Sequence, residues 1–277
     1  MNDKKKIILC NNICASYLNN LNWIIRLGYN ENYVKTNVRI SEEDMYKYDF
    51  SGNAWLLDEK FKGVYEEHSY KRYFLYLVRD FCNFINEALR SLTQMNYNIA
   101  LTLLRKPLKD NLMLIEWLYV NPSELIDRLL YKQANVYAPD HLKEYQKKSI
   151  IDKAVKKSGC VIMSSDSIYN TRYSSNIGSL DNFWNKSLHI VTTRGEGIRI
   201  TRDGDLNYVF TDFEEAKEIT KIVYMILPTL LYYTVEMCED IFYGIAEHKR
   251  LSFDYRKRRQ SNRIIKFLDF SQKIQLR

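Results

Sequence analysis

Apolar residues recur at three- and four-residue spacing along most of this chain, which is the signature of helices with one buried face. Residues 7–27 carry Ile7, Ile8, Cys14, Leu18, Leu21 and Ile25 on such a stripe, and Gly28 is expected to end it. Residues 29–68 lack a sustained period and predict loops with one or two short helices. From Tyr70 to Met95 the stripe is strong, through Tyr73, Leu77, Phe81, Phe84, Ile85, Ala88 and Leu92. It returns from Asn98 to Val120 through Leu101, Leu104, Leu108, Leu112, Ile115 and Leu118. Pro107 interrupts that run and predicts a kink or a break.

Further helices are expected over about residues 123–137, after Asn121-Pro122, and from Pro139 to about Lys157, where Ser158-Gly159 stops the run. Residues 160–181, rich in Ser and Asn, read as mostly irregular, and Trp184 to Thr193 as a short helix or an extended piece. Period-two alternation occurs once, in residues 197–210. Ile198 and Ile200 face Leu206, Tyr208 and Phe210 across an Asp203-Gly204 turn, which predicts a β-hairpin. A long helix capped by Thr211 or Asp212 then runs to about His248, kinked at Pro228, and a last helix covers about Phe253 to Phe270. The expected fold is mainly α, a helical bundle with one small β-hairpin at about residues 197–210. Its parts are an N-terminal helix and irregular segment (1–68), a central bundle with the hairpin (69–248) and a C-terminal helix (249–277).

Composition agrees with helices: the 277 residues include only 9 Gly and 4 Pro. The 22 Tyr predict a core whose rings are buried and whose hydroxyls find polar partners. Five scattered cysteines form no metal-ligand pattern and no disulfide framework. That points to small buried side chains, a reducing cytosolic compartment, and neither a metal nor a cofactor. The most apolar run, Ile222 to Val235, is too short to span a bilayer and is broken by Pro228. Lys4-Lys5-Lys6 precede an apolar stretch interrupted by asparagines, unlike a secretory leader. Phosphate-loop, dinucleotide, zinc-protease, nucleophile-elbow and CxxC patterns are absent.

Charge changes the picture more than composition does. The net charge is +7, yet residues 249–277 hold ten Lys and Arg against only Asp254 and Asp269, so the rest is nearly neutral. Arg250, Arg256, Lys257, Arg258, Arg259 and Arg263 are therefore the candidate nucleic-acid contacts, with Phe253, Tyr255, Phe267 and Phe270 interleaved for stacking on bases. A solvated helix face packed on the body by Ile264, Ile265, Leu268 and Phe270 is the competing reading. Candidate partners are RNA or another nucleic acid, an acidic protein or membrane surface, and a second copy of the chain.

Asn185-Lys186-Ser187-Leu188-His189 resembles the polar-then-three-then-His core of the HEPN ribonucleases. Residues 98–130, with their Leu-Arg-Lys-Pro-Leu run and following Asn-Pro helix, look like the central helices of HEPN-like bacterial proteins of the phage-defence or toxin type. That resemblance implies a helical bundle and metal-independent cleavage of RNA. His189 would then be the general base or phosphate contact, Asn185 would orient, and Lys186 or Arg194 would supply positive charge. Trp184 stands where that pattern carries an Arg. Arg105 and Lys109, one turn apart on an otherwise apolar helix, are expected to pair with carboxylates such as Glu116 rather than to form a site. If His189 has no catalytic role, the alternative is a non-catalytic module recruited to nucleic acid or an acidic partner by its basic helix.

Overall fold

One constraint organises the bundle: the helix at its centre is apolar except for Glu116 and is covered on nearly every side. This is α5 (Leu112–Val120), in which Leu112, Met113, Ile115, Trp117, Leu118 and Tyr119 are all buried. The computed structural model describes residues 3–52, 54–132, 138–174, 179–188, 213–246 and 252–275. Among these every regular element is helical. The hairpin expected at about residues 197–210 lies outside them.

The long helices are α1 (Asp3–Asn30), α3 (Lys62–Thr93), α10 (Phe213–Ile245) and α11 (Phe253–Gln275). Between them run α2 (Glu42–Lys47), α4 (Tyr97–Arg105), α5, α6 (Pro122–Tyr131), α7 (Glu144–Ser158), α8 (Ser165–Tyr173) and α9 (Leu180–Leu188). Helix α1 packs against α3, α10 and α11; α10 also touches α3, α5 and α7; α9 lies along α4. One apolar cluster runs from Cys10 to Phe270. All five cysteines are buried and unpaired, as the composition suggests.

Two local expectations are corrected. Gly28 does not end α1, which continues to Asn30. A Cβ there would stand 2.7 Å from Leu75, so the glycine is a close-packing point between α1 and α3. Residues 160–181 are not mostly irregular, because Ser164 caps α8 through the Ser167 amide and Asp166 adds negative charge to its first turn. Pro228 lies inside α10, as expected, and the helix continues on both sides of it. The stop at Ser158-Gly159 is as expected, with Gly159 at φ 65°, a left-handed conformation glycine adopts without penalty.

Pro107 neither breaks nor sharply ends its helix. The chain widens into a π-helical turn, Lys106–Asn111, and then resumes as α5. Backbone carbonyls in this turn are taken by side chains: Arg172 Nε donates to Leu108 O at 2.7 Å, and the Tyr173 hydroxyl donates to Lys109 O at 2.7 Å. The Arg172 guanidinium is wholly buried, and its Nη1 donates to Glu116 Oε1 at 2.6 Å. Tyr233 of α10 donates to the same oxygen at 3.1 Å. Thus α8 and α10 are joined to α5 through one carboxylate. Burial pushes the Glu116 carboxyl up, against the opposing pull of Arg172.

Removing one member of a buried pair strands the other. Arg172→Ala is expected to cost about 3–5 kcal/mol in urea unfolding, and Arg172→Met with Glu116→Leu to recover most of that loss. Equal loss in the single and double variants would contradict the pairing. Burial also raises the Cys10 and Cys82 thiols and the Tyr70 hydroxyl to about 12, from ordinary values of 9.0 and 10.0. The native state therefore favours their protonated forms. Their contribution is complete below about pH 9 and is lost as pH rises towards 12, so the urea midpoint should fall across that window.

Candidate nucleic-acid interface

Helix α11 begins at a Ser252 cap, whose hydroxyl accepts from the Tyr255 amide at 3.2 Å. Its positive charges then divide by helical position. Arg256, Arg259 and Arg263 recur at three- and four-residue spacing and turn towards α10, which presents Glu236, Glu239 and Asp240. Arg263 is 4% exposed; its Nε is 2.7 Å from Glu236 Oε1 and its Nη1 is 2.8 Å from Glu239 Oε2. Burial pulls this guanidinium down, but the two glutamates more than reverse the effect and leave it above its ordinary value.

Arg259 holds Glu239 Oε1 through Nε at 2.8 Å and Nη2 at 2.5 Å. Its Nη2 also donates to Asn20 at 2.9 Å, and its guanidinium lies 4.0 Å from the centre of the Trp23 ring. Gln260 donates to Glu236 at 2.9 Å. Arg256 pairs with Asp240, which also accepts from the Tyr119 hydroxyl at 2.5 Å. Below these, Phe267 packs on Tyr232 at 5.4 Å, and Phe270 is buried. Among the candidate contacts, Arg256, Arg259 and Arg263 thus face the body.

The outer face differs. Lys257, Arg258 and Lys266 are exposed, and among the described residues none of them forms an ion pair. Lys273 pairs with Asp269 one turn away. Phe253 and Tyr255 are exposed beside the cations, and Lys257 Nζ lies 4.5 Å from the centre of the Phe253 ring. Such a face combines point charges for phosphates with rings for unstacked bases. Arg250, the remaining candidate contact, lies outside the described residues.

The residues of the HEPN resemblance are placed only in part. His189 and Arg194 lie outside the described residues, as does the side chain of Lys186. Asn185 is half-buried near the end of α9. Trp184, at the family's Arg position, is 1% exposed and belongs to the core. Arg105 and Lys109 form the expected ion pairs, with Asp110 at 3.5 Å and Asp181 at 2.5 Å, and not with Glu116. The partner of Glu116 is Arg172, in a segment whose Ser- and Asn-rich composition hides a helix. The Ser164-x-x-Ser167 cap and Asp166 were the available signal for α8. Among the described residues no cluster of His, Cys, Asp and Glu could hold a metal ion, and no helix is long and apolar enough to cross a membrane.

No known protein family, curated protein or solved structure matches this chain. Its functional reading therefore rests on its own residues. Arg263→Ala would leave Glu236 and Glu239 buried with too little opposing charge, at a cost of about 3–5 kcal/mol. Hydrogen exchange should then quicken in α11 well before it quickens in α3. Unchanged protection of α11 would show that the apolar contacts alone seat the helix.

Proposed function

We propose that this chain is a non-catalytic RNA-binding protein whose contact surface is the outer face of α11. The observation that carries this reading is the division of cations on that helix. Arg256, Arg259 and Arg263 are neutralised by the carboxylates of α10, while Lys257 and Arg258 point outward beside exposed Phe253 and Tyr255. A free basic helix would lose side-chain and backbone entropy on binding; a helix already docked by its inner arginines loses less. Phosphates would meet Lys257 and Arg258, with Arg250 just before them in the chain. Phe253 and Tyr255 would stack on unpaired bases, which favours single-stranded RNA over a duplex.

Binding without cutting is preferred because the HEPN pattern needs a cation where Trp184 is buried. The assay is fluorescence anisotropy with a labelled single-stranded RNA at one fixed salt concentration. Lys257→Ala with Arg258→Ala should weaken binding about tenfold or more, since each phosphate contact contributes about 1 kcal/mol. The RNA should remain intact on a gel. Undiminished affinity in the double variant would overturn the assignment of this face. RNA cleavage that disappears in His189→Ala would overturn the non-catalytic reading.

A further inference from the structure

A cavity of about 810 Å³ opens where the first turns of α3, α6 and α11 meet the last turns of α5, α7 and α10. Its size falls in the range of small-ligand sites, roughly 300–1,000 Å³. Its wall is chemically mixed. Lys71 and Arg256 are already paired, with Glu67 and Asp240. Lys157, in the last turn of α7, is not. Its ammonium donates to the Tyr119 carbonyl at 2.7 Å, lies 4.3 Å from the centre of the Tyr119 ring and forms no ion pair among the described residues.

Tyr243 lends its ring to the wall, while its hydroxyl is sealed from solvent and has no hydrogen-bond partner among the described residues. One further polar group reaches the same space. Ser123 lies in the first turn of α6, where Asn121 gives its side chain to Glu124 and caps no backbone amide. Phe253 adds an aromatic edge at the mouth, and Glu66 a carboxylate acceptor on the α3 side.

A ligand that uses all of these needs an anionic end, a flat ring and hydrogen-bond donors together. A purely anionic ligand would be opposed by Glu66, and a purely apolar one would strand Lys157. We infer that this cavity binds a nucleoside monophosphate. Its phosphate meets Lys157 and the first turn of α6, and its base lies among Tyr70, Tyr119, Tyr243 and Phe253. Glu66 accepts from the base amino group or the ribose hydroxyls. The same chemistry comes from a free nucleotide or from the phosphorylated end of an RNA strand. Phe253 connects the two possibilities, since it lines the cavity and also lies under the outward Lys257.

The test is calorimetric titration of the full chain with the 5′-monophosphates of adenosine, guanosine, cytidine and uridine, and with the parent nucleosides. At least one monophosphate should saturate a single site, with its nucleoside weaker by about tenfold or more. Lys157→Gln should weaken that monophosphate about tenfold with the fold retained by circular dichroism, because Lys157 is exposed and its replacement removes only its hydrogen bond to the Tyr119 carbonyl and its contact with that ring. Tyr243→Phe, which keeps the ring and removes a hydroxyl sealed from solvent, should leave that affinity unchanged. Competition by a 5′-phosphorylated RNA would identify the strand end as the source, and its absence the free nucleotide; the site stands in either case. No saturation by any monophosphate at millimolar concentration, or full affinity in Lys157→Gln, would overturn the inference. Monophosphate binding that survives Lys257→Ala with Arg258→Ala separates this site from the RNA-binding face. RNA binding without monophosphate binding would remove this site alone, and the reverse would remove the RNA reading alone.

Discussion

A charge taken out of water must meet an opposite charge, and much of this fold follows from that requirement. Glu116 is fully buried in α5, and Glu236 and Glu239 are nearly so on α10. Each therefore demands a guanidinium from another element. Arg172 answers the first from α8, and Arg259 and Arg263 answer the others from α11. Arginine suits these places because its planar fork can satisfy two acceptors at once, as Arg172 does with Glu116 and the Leu108 carbonyl.

The same logic links fold to function. The π turn at Pro107 turns backbone carbonyls towards α8, and Arg172 and Tyr173 use them to seat that helix. Tyrosines elsewhere do similar work, burying the ring and spending the hydroxyl on a polar neighbour: Tyr224 on Asn11, Tyr233 on Glu116, Tyr119 on Asp240. With α11 fixed by its inner arginines, its outer cations hold a defined orientation relative to the cavity beside Phe253. A neutral body and an oriented cationic face concentrate the protein's field on one side.

Much of this was legible in the chain. Periodicity located the long helices, Gly159 marked the end of α7, and the tyrosine count anticipated a core of buried rings, although the Tyr17 and Tyr243 hydroxyls are buried without a partner among the described residues. The charge count located the basic helix, but a count has no direction. Which arginines turn inward depends on where Glu236, Glu239 and Asp240 fall on α10, a relation between helices that no single segment contains. Arg172 was missed for a related reason: a segment rich in Ser and Asn looks like loop until one of its serines is recognised as a cap. Pro107 predicts a kink or a break; the chain instead continues through a π turn, and two carbonyls of that turn, Leu108 and Lys109, are satisfied by side chains 64 residues away, a relation that local periodicity does not contain. The candidate site was therefore half visible: its composition could be read, but its inner and outer faces could not.

The central claim is that a small outward set of cations, and not the whole basic helix, meets the polyanion. The slope of log affinity for single-stranded RNA against log salt measures it directly, because each phosphate contact contributes about −0.7. The account predicts a shallow slope, set by two to four contacts, that loses about 1.4 when Lys257 and Arg258 are both neutralised. A slope as steep as ten cations would produce, or one that the double substitution leaves unchanged, would contradict it.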